Sequence, residues 1–363
     1  MASYDEISKA IRAREEARAI ALIKKGGEGP RHWKPIIDAA YVGAPAVVRA
    51  LLAAGADPNI VSGTGHRHTP LTRCLHWQTT FPRTEAHTEV LRTLLQAGAD
   101  PDLPGGTHRF PPVAEACVGG YERDIDLLLK AGATKSLHVT AMLCDTAALK
   151  RQLKKHDPDT LDHAGRTPLH YLGLSGRWRS SEKLANASLA CASALLDAGA
   201  DVDRVDALIG VENDFRATAL WRAAGWQKHH ALAKLLLEAG ANPNNAIFAV
   251  AFAGDVEMLQ MLLDHGADLE VKVHGRTPLI DLLYYKRPDC VPWLLEHGAR
   301  ADATDAEERT ALHHAAIQGV RPQIVQCLIE HGARTRSRDQ HGKTPLDYAK
   351  AKGRAKLLPL LKV

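Results

Sequence analysis

The sequence lacks the marks of most enzyme classes. It has no G-x-S-x-G elbow, no phosphate-binding glycine loop, no H-E-x-x-H helix and no recurring carboxylate pair. No run of 18 apolar residues occurs anywhere, so no transmembrane helix is expected. Residues 1–27 scatter acids and bases among apolar positions and lack the uncharged centre of a signal peptide. The six cysteines, at 74, 117, 144, 191, 290 and 327, include no C-x-x-C pair. A disulfide framework or thiolate zinc site would group them; scattered, they are expected to be small buried hydrophobes in a reducing compartment. These absences predict a soluble, cytoplasmic protein without cofactor or metal.

Charge of one sign is also scarce. Lys and Arg number 46 against 42 Asp and Glu, a net of +4. The excess is local: residues 334–363 hold nine Lys/Arg and two Asp/Glu, a net of +7, which leaves the remainder slightly acidic. A dedicated nucleic-acid binder would show a concentrated basic face along its body.

What the chain does have is repetition. LLAAGAD (51–57), LLQAGAD (94–100), LLKAGAT (128–134), LLDAGAD (195–201), LLEAGAN (236–242), LLDHGAD (262–268), LLEHGAR (294–300) and LIEHGAR (328–334) are one phrase written eight times. Its glycines are spaced by 43, 34, 67, 41, 26, 32 and 34 residues. The longest interval holds a degenerate copy, QLKKHDPD (152–159), with His156 in the glycine's place. Leucines close a helix and the glycine ends it in the left-handed conformation. Asp or Asn with Pro then begins a turn, as in ADPN (56–59) and ANPN (241–244). About ten residues on, a second phrase opens another helix: TPLT (69–72), PPVA (111–114), TPLH (167–170), TALW (218–221), TPLI (277–280), TALH (310–313) and TPLD (344–347). Thr caps that helix and Pro occupies its first turn, where a missing N–H does no harm.

Two antiparallel helices followed by an extended turn resemble the ankyrin repeat, whose signature is T-P-L-H-x-A. TALHHA (310–315) and TPLHYL (167–172) carry the likeness most closely. The resemblance implies an all-α solenoid of helix pairs with short β-hairpin fingers, capped at both ends. The whole chain, 1–363, then forms a single domain. A capping helix lies within 1–32 (residues 5–25), about nine repeats within 33–334 and a capping repeat within 335–363. Residues 134–157 and 242–268 leave almost no room for a finger. WQTTFPRTEAH (77–87) and GLSGRWRSSEKLANAS (173–188), with Trp178, lengthen the loop between paired helices, and RVDALIGVENDF (204–215) lengthens a finger. Inserts on a rigid scaffold are places where specificity concentrates, or neutral drift.

In ankyrin proteins the end of the first helix faces the partner-binding groove. Here those positions hold Tyr41, Trp77, Met142, Trp226, Phe252, Tyr284 with Tyr285, and Ile317. Aromatics with polar tips are common interface anchors, although tilted helices could instead bury them. A basic ladder precedes the Thr-Pro-Leu phrase at His68, Arg109, Arg166, Arg216, Arg276, Arg309 and Lys343. It suits an acidic partner, or is a family habit. His265, His297 and His331 precede terminating glycines and are expected to cap helix carbonyls. His66, His68 and His76 could approach one another, without zinc-like spacing. The function expected is non-catalytic binding of another protein, as adaptor, inhibitor or effector, by a monomer. A nucleic-acid-associated role for the ladder and basic C-terminus is the alternative.

Overall fold

A computed structural model describes residues 2–76, 82–106, 108–206 and 217–362. The described residues are helical, with isolated β-bridges and no sheet. They pack as two compact units, Met1–Ala200 and Asp201–Val363. Each unit is a stretch of all-α ankyrin-type solenoid.

The recurring phrase does what its residues dictate. Each of its eight glycines has φ between 86° and 96°, a region where a Cβ is strained. The alanine that follows donates its N–H back to the first leucine of the phrase: Ala56 to Leu51, Ala99 to Leu94, and so on to Ala333 and Leu328. This reversal satisfies carbonyls that a helix end leaves bare. All eight of those leucines are fully buried. The second helix of each pair therefore ends on a core residue, and the chain turns back immediately.

The opening phrase works equally locally. Thr69, Thr167, Thr310 and Thr344 form capping boxes with residues three positions on. In two of them the reciprocal group is histidine: the ring Nδ1 of His170 and of His313 accepts from the backbone N–H of Thr167 and of Thr310, at 3.1 and 3.0 Å. His313 then donates through Nε2 to the Lys343 carbonyl of the next repeat, 3.1 Å away.

Two further devices hold neighbouring repeats in register. Side chains four residues after the glycine accept the N–H two residues after the glycine of the next repeat. Within the first unit Asn59 accepts from Asp100 at 2.7 Å and Asp102 from Thr134 at 2.8 Å. In the second, Asp203 accepts from Asn242, Asn244 from Asp268 and Glu270 from Arg300, at 3.0, 2.7 and 2.8 Å. The other device closes the fingers. Asp162, Asp305 and Asp339 each accept two backbone N–H groups of their own finger through Oδ1. Their Oδ2 atoms meet Tyr171 Oη, His314 Nε2 and Tyr348 Oη, each nine residues further on, at 2.9, 2.7 and 2.6 Å.

The fingers depart from the expected β-hairpins. They are closed by one or two hydrogen bonds, or by single bridges such as Gly105 with Phe110 and Val273 with Arg276, and in the three fingers of Asp162, Asp305 and Asp339 a carboxylate does the work of a strand ladder. The opening helix is in fact two, Tyr4–Arg12 and Glu16–Lys24, separated where Arg14 takes φ 59°. The expected loop at 173–188 is largely helical. A short 3₁₀ turn, Arg177–Ser180, leads into Glu182–Asp197, which starts seven residues inside that segment because Ser181 caps it. Residues 77–81 and 207–215 of the other two inserts lie outside the described residues. The two short units follow expectation, with helices Leu137–Met142 and Ile247–Ala253 beginning within a few residues of the preceding turn.

In the second unit Arg222 and Asp206 form an ion pair with side chains 1% and 0% exposed. Removing one partner leaves a buried charge uncompensated, which costs about 3–5 kcal/mol. Arg222→Met should lower the unfolding free energy read from a urea titration by that order, and adding Asp206→Leu should recover most of it.

Candidate functional site

The second unit carries the most exposed aromatic cluster. Helix Pro278–Tyr284 buries Leu279, Ile280, Leu282 and Leu283, so its last residue and Tyr285 face outward. Tyr284 and Tyr285 are 42% and 47% exposed, and Phe252, at the end of Ile247–Ala253, is 42% exposed. The rings meet edge to face, 4.9 Å between Tyr284 and Tyr285 and 6.0 Å between Tyr285 and Phe252. Cations prop them: the Arg276 guanidinium lies 4.1 Å from the Tyr284 ring and that of Arg287 4.7 Å from Phe252. Arg276 is fixed in turn by Asp281, with Nε donating at 2.8 Å. Gln318 donates to the Tyr284 carbonyl at 3.0 Å, and His314 lies 5.8 Å from the Tyr284 ring. Three large rings are thus held in fixed orientations with their outer faces open, which lowers the ordering cost of a contact.

The other expected anchors are less open. Tyr41 is half-buried under the Arg73 guanidinium, 3.8 Å from its ring. Trp226, in a π-turn spanning Arg222–Trp226, is half-buried and meets Trp221 edge to face at 5.8 Å. Trp178 and Ile317 are half-buried. Met142 is fully buried. Trp77 lies outside the described residues.

The basic ladder requires correction. Arg166 is 3% exposed; it binds Asp162, donates to the His108 carbonyl at 2.7 Å and stacks 4.1 Å from Phe110. It holds two fingers together and offers nothing to a partner. Arg276 and Arg309 are mostly covered, the latter bonded to Glu307 at 2.7 Å and to Tyr348 Oη at 3.3 Å. His68 is buried, and burial lowers its pKa to about 3. Arg109 and Lys343 are the exceptions: both are exposed, and among the described residues neither side chain has a hydrogen-bond or ion-pair partner, Lys343 lying 5.6 Å from the Tyr348 ring. Arg216 lies outside the described residues. Sequence reading missed the position after the TPLH histidine, where Tyr171, Arg222, Asp281, His314 and Tyr348 partner the finger charges. The signal was present as an acid nine residues before a Tyr or His.

The histidines before the glycines cap as expected: His265, His297 and His331 donate through Nδ1 to carbonyls four residues back, at 2.9, 2.8 and 2.8 Å. The rings of His66, His68 and His76 do approach, at 6.1 and 5.2 Å. Among the described residues no three His, Cys, Asp or Glu are arranged to hold a metal. Burial pushes the Cys74 and Cys144 thiols up to about 12, which keeps them protonated and unreactive.

Residues 220–305 and 300–362 match the family model of ankyrin repeats. The chain is an ankyrin-repeat protein, and its first unit repeats the same construction. Over 219 residues, half of this chain, it is 29% identical to the ankyrin repeat protein nuc-2 of Neurospora crassa, covering 20% of that protein. Over 86 residues, 23% of this chain, it is 41% identical to human inversin, covering 8% of it. The chain thus spans a fifth or less of the length of these relatives. In fold it is similar to the ankyrin repeat domain of Bcl-3, with a TM-score of 0.50 at 23% identity over 64% of this chain and 99% of that one. No helix among the described residues is long and apolar enough to cross a membrane.

One carboxyl stands apart. Glu115 is 1% exposed and its Oε2 has no hydrogen-bond partner among the described residues. Burial raises its pKa to about 8, against the opposing pull of Arg166. A proton bound in the folded state and released on unfolding makes stability fall as pH rises, here between about 4.5 and 8. Glu115→Gln should therefore melt near the wild-type temperature at pH 4.5 and several degrees above it at pH 8.5, as followed by circular dichroism.

Proposed function

We propose that this chain is a non-catalytic protein-binding module, an adaptor, inhibitor or effector, which engages its partner through the aromatic cluster of the second unit. Ankyrin repeats generally mediate protein–protein interaction, and that is the role such a scaffold brings. The observation that carries the reading is the exposure of Phe252, Tyr284 and Tyr285 as three adjacent rings, each already oriented by a neighbour or a cation. Exposed rings of this size are unfavourable in water unless something covers them. Central aromatic anchors of this kind supply most of the energy of many interfaces. Arg276 contributes by holding Tyr284 and Arg309 by bracing the adjoining finger. Trp226 and Ile317, both partly covered, are peripheral contacts within the second unit; Tyr41 and Trp178 belong to the first unit and not to this cluster. The partner is another protein, bound by a monomer in the cytoplasm.

The test is a paired capture from native lysate with the wild-type chain and with Tyr284→Ala/Tyr285→Ala as baits, followed by affinity measurement on the protein retained. The double variant should lose at least about 2 kcal/mol of binding while keeping its helical spectrum. An unchanged affinity removes the aromatic cluster from the interface. Retention of the wild-type chain on an RNA or DNA column that collapses between low and moderate salt would favour the basic C-terminus, residues 334–363, as the working surface.

A further inference from the structure

The fingers of the first unit carry a feature of different chemistry. They span residues 57–68, 100–110 and 157–166. The repeat between the last two has no finger: Leu137–Met142 begins three residues after Thr134. The fingers on either side of that gap therefore meet, and Arg166 ties them by donating to the His108 carbonyl. On the other side, Gly105 presses so closely on the first finger that a Cβ there would lie 2.5 Å from Thr72 Oγ1 and 3.0 Å from the Arg67 carbonyl. Three fingers are thus locked side by side.

Between them lies a cleft of about 400 Å³, floored by Val61, Leu103 and Pro104 and rimmed by Arg67, Arg109 and His163. A second hollow of about 270 Å³ shares Pro104, Arg109 and His163 and runs on to Ser136 and Val139. No carboxylate is among the described lining of the first cleft. The only acid in the second, Asp102, already accepts from the Thr134 N–H and hydroxyl. Arg67, Arg109 and His163 are exposed, and among the described residues their side chains have no hydrogen-bond or ion-pair partner.

The two arginines occupy an unusual position. In each described finger the residue two before the Thr or Pro that opens the next helix is left-handed. Glycine fills it in three fingers, at Gly165, Gly275 and Gly342 with φ 75°, 72° and 70°. In the first two fingers it is Arg67 and Arg109, with φ 47° and 50°, and in the finger before Thr310 it is Glu308, with φ 60°. A side chain there strains the backbone, and among the described residues neither arginine offsets that strain with a side-chain hydrogen bond or ion pair.

We propose that this cleft is an anion-recognition site for an acidic peptide segment of a partner protein. One carboxylate or phosphate ester seats between the Arg67 and Arg109 guanidiniums, whose fork geometry suits both groups. An aliphatic neighbour in the peptide covers Val61, Leu103 and Pro104. The first cleft's described lining includes no Phe, Tyr or Trp, and a single imidazole, His163, offers no run of rings for successive bases, which favours a peptide over single-stranded nucleic acid. The site lies in the other unit from the aromatic cluster and stands without it.

Fluorescence polarisation tests this on the full chain. The probes are an octapeptide alternating Glu and Leu, the same peptide with phosphoserine for Glu, and a Gln–Leu control. The Glu or the phosphoserine peptide should bind at least tenfold tighter than the control, and the tighter of the two identifies the anion. Arg67→Asn/Arg109→Asn, in which asparagine tolerates the left-handed backbone, should lower that affinity at least tenfold with the unfolding midpoint unchanged or raised. Arg334→Gln/Arg336→Gln should bind like the wild type. Equal affinity of the wild type and the finger variant, or no preference for the acidic peptides over the control, overturns the proposal. So does an RNA oligonucleotide of equal charge that binds tighter through the same two arginines.

Discussion

The reversal after each second helix is the constraint on which the rest of the structure depends. A helix end exposes carbonyls, and a solenoid built of short helices has many such ends to satisfy in a small volume. The left-handed glycine, with the alanine N–H returned to a fully buried leucine, solves this within four residues. Only a reversal that tight leaves the following turn next to its neighbour, where Asn59 or Asn244 can reach across and accept the next N–H. Core, turn and stacking contact are thus set by one short phrase.

The fingers show how charge is used inside such a scaffold. Asp162, Asp305 and Asp339 each replace a pair of strand hydrogen bonds with a carboxylate that gathers backbone N–H groups and one helix side chain. The second finger unit of the C-terminal half reverses the arrangement, with Arg276 on the finger and Asp281 on the helix. Arginines at the finger base are consequently spoken for: they balance acids, lie over Phe110, Tyr284 or Tyr348, and seldom face solvent. Of the rings they support, Phe110 is buried and Tyr284 is left on display.

The fold was almost entirely legible in the sequence, because its determinants are local. Leu-Leu-x-x-Gly and Thr-Pro-Leu each specify a helix boundary without reference to distant residues, and the histidine caps at 265, 297 and 331 follow from spacing alone. The site was legible only in part. Tyr284 and Tyr285 emerged from their place at a helix end, yet the same reasoning put the buried Met142 beside them. Whether a side chain at that position is covered depends on how the neighbouring helix pair packs against it, which is non-local: Met142 and Phe252 both sit in fingerless repeats, one buried and the other exposed. Arg166 looked like a surface cation because nothing in its own repeat reveals His108 and Phe110 across a missing finger. The break at Arg14 and the helical start of 182–188 are boundaries at which ordinary propensities compete closely.

The five hydrogen bonds from a backbone amide to a side chain of the neighbouring turn run in one direction. In every pair the earlier repeat contributes the accepting side chain and the later one the amide. A chain leaving the ribosome amino-end first would therefore carry each acceptor into place before its donor is made. Every newly emerged turn could dock on a finished template, so the order of synthesis and the polarity of assembly coincide.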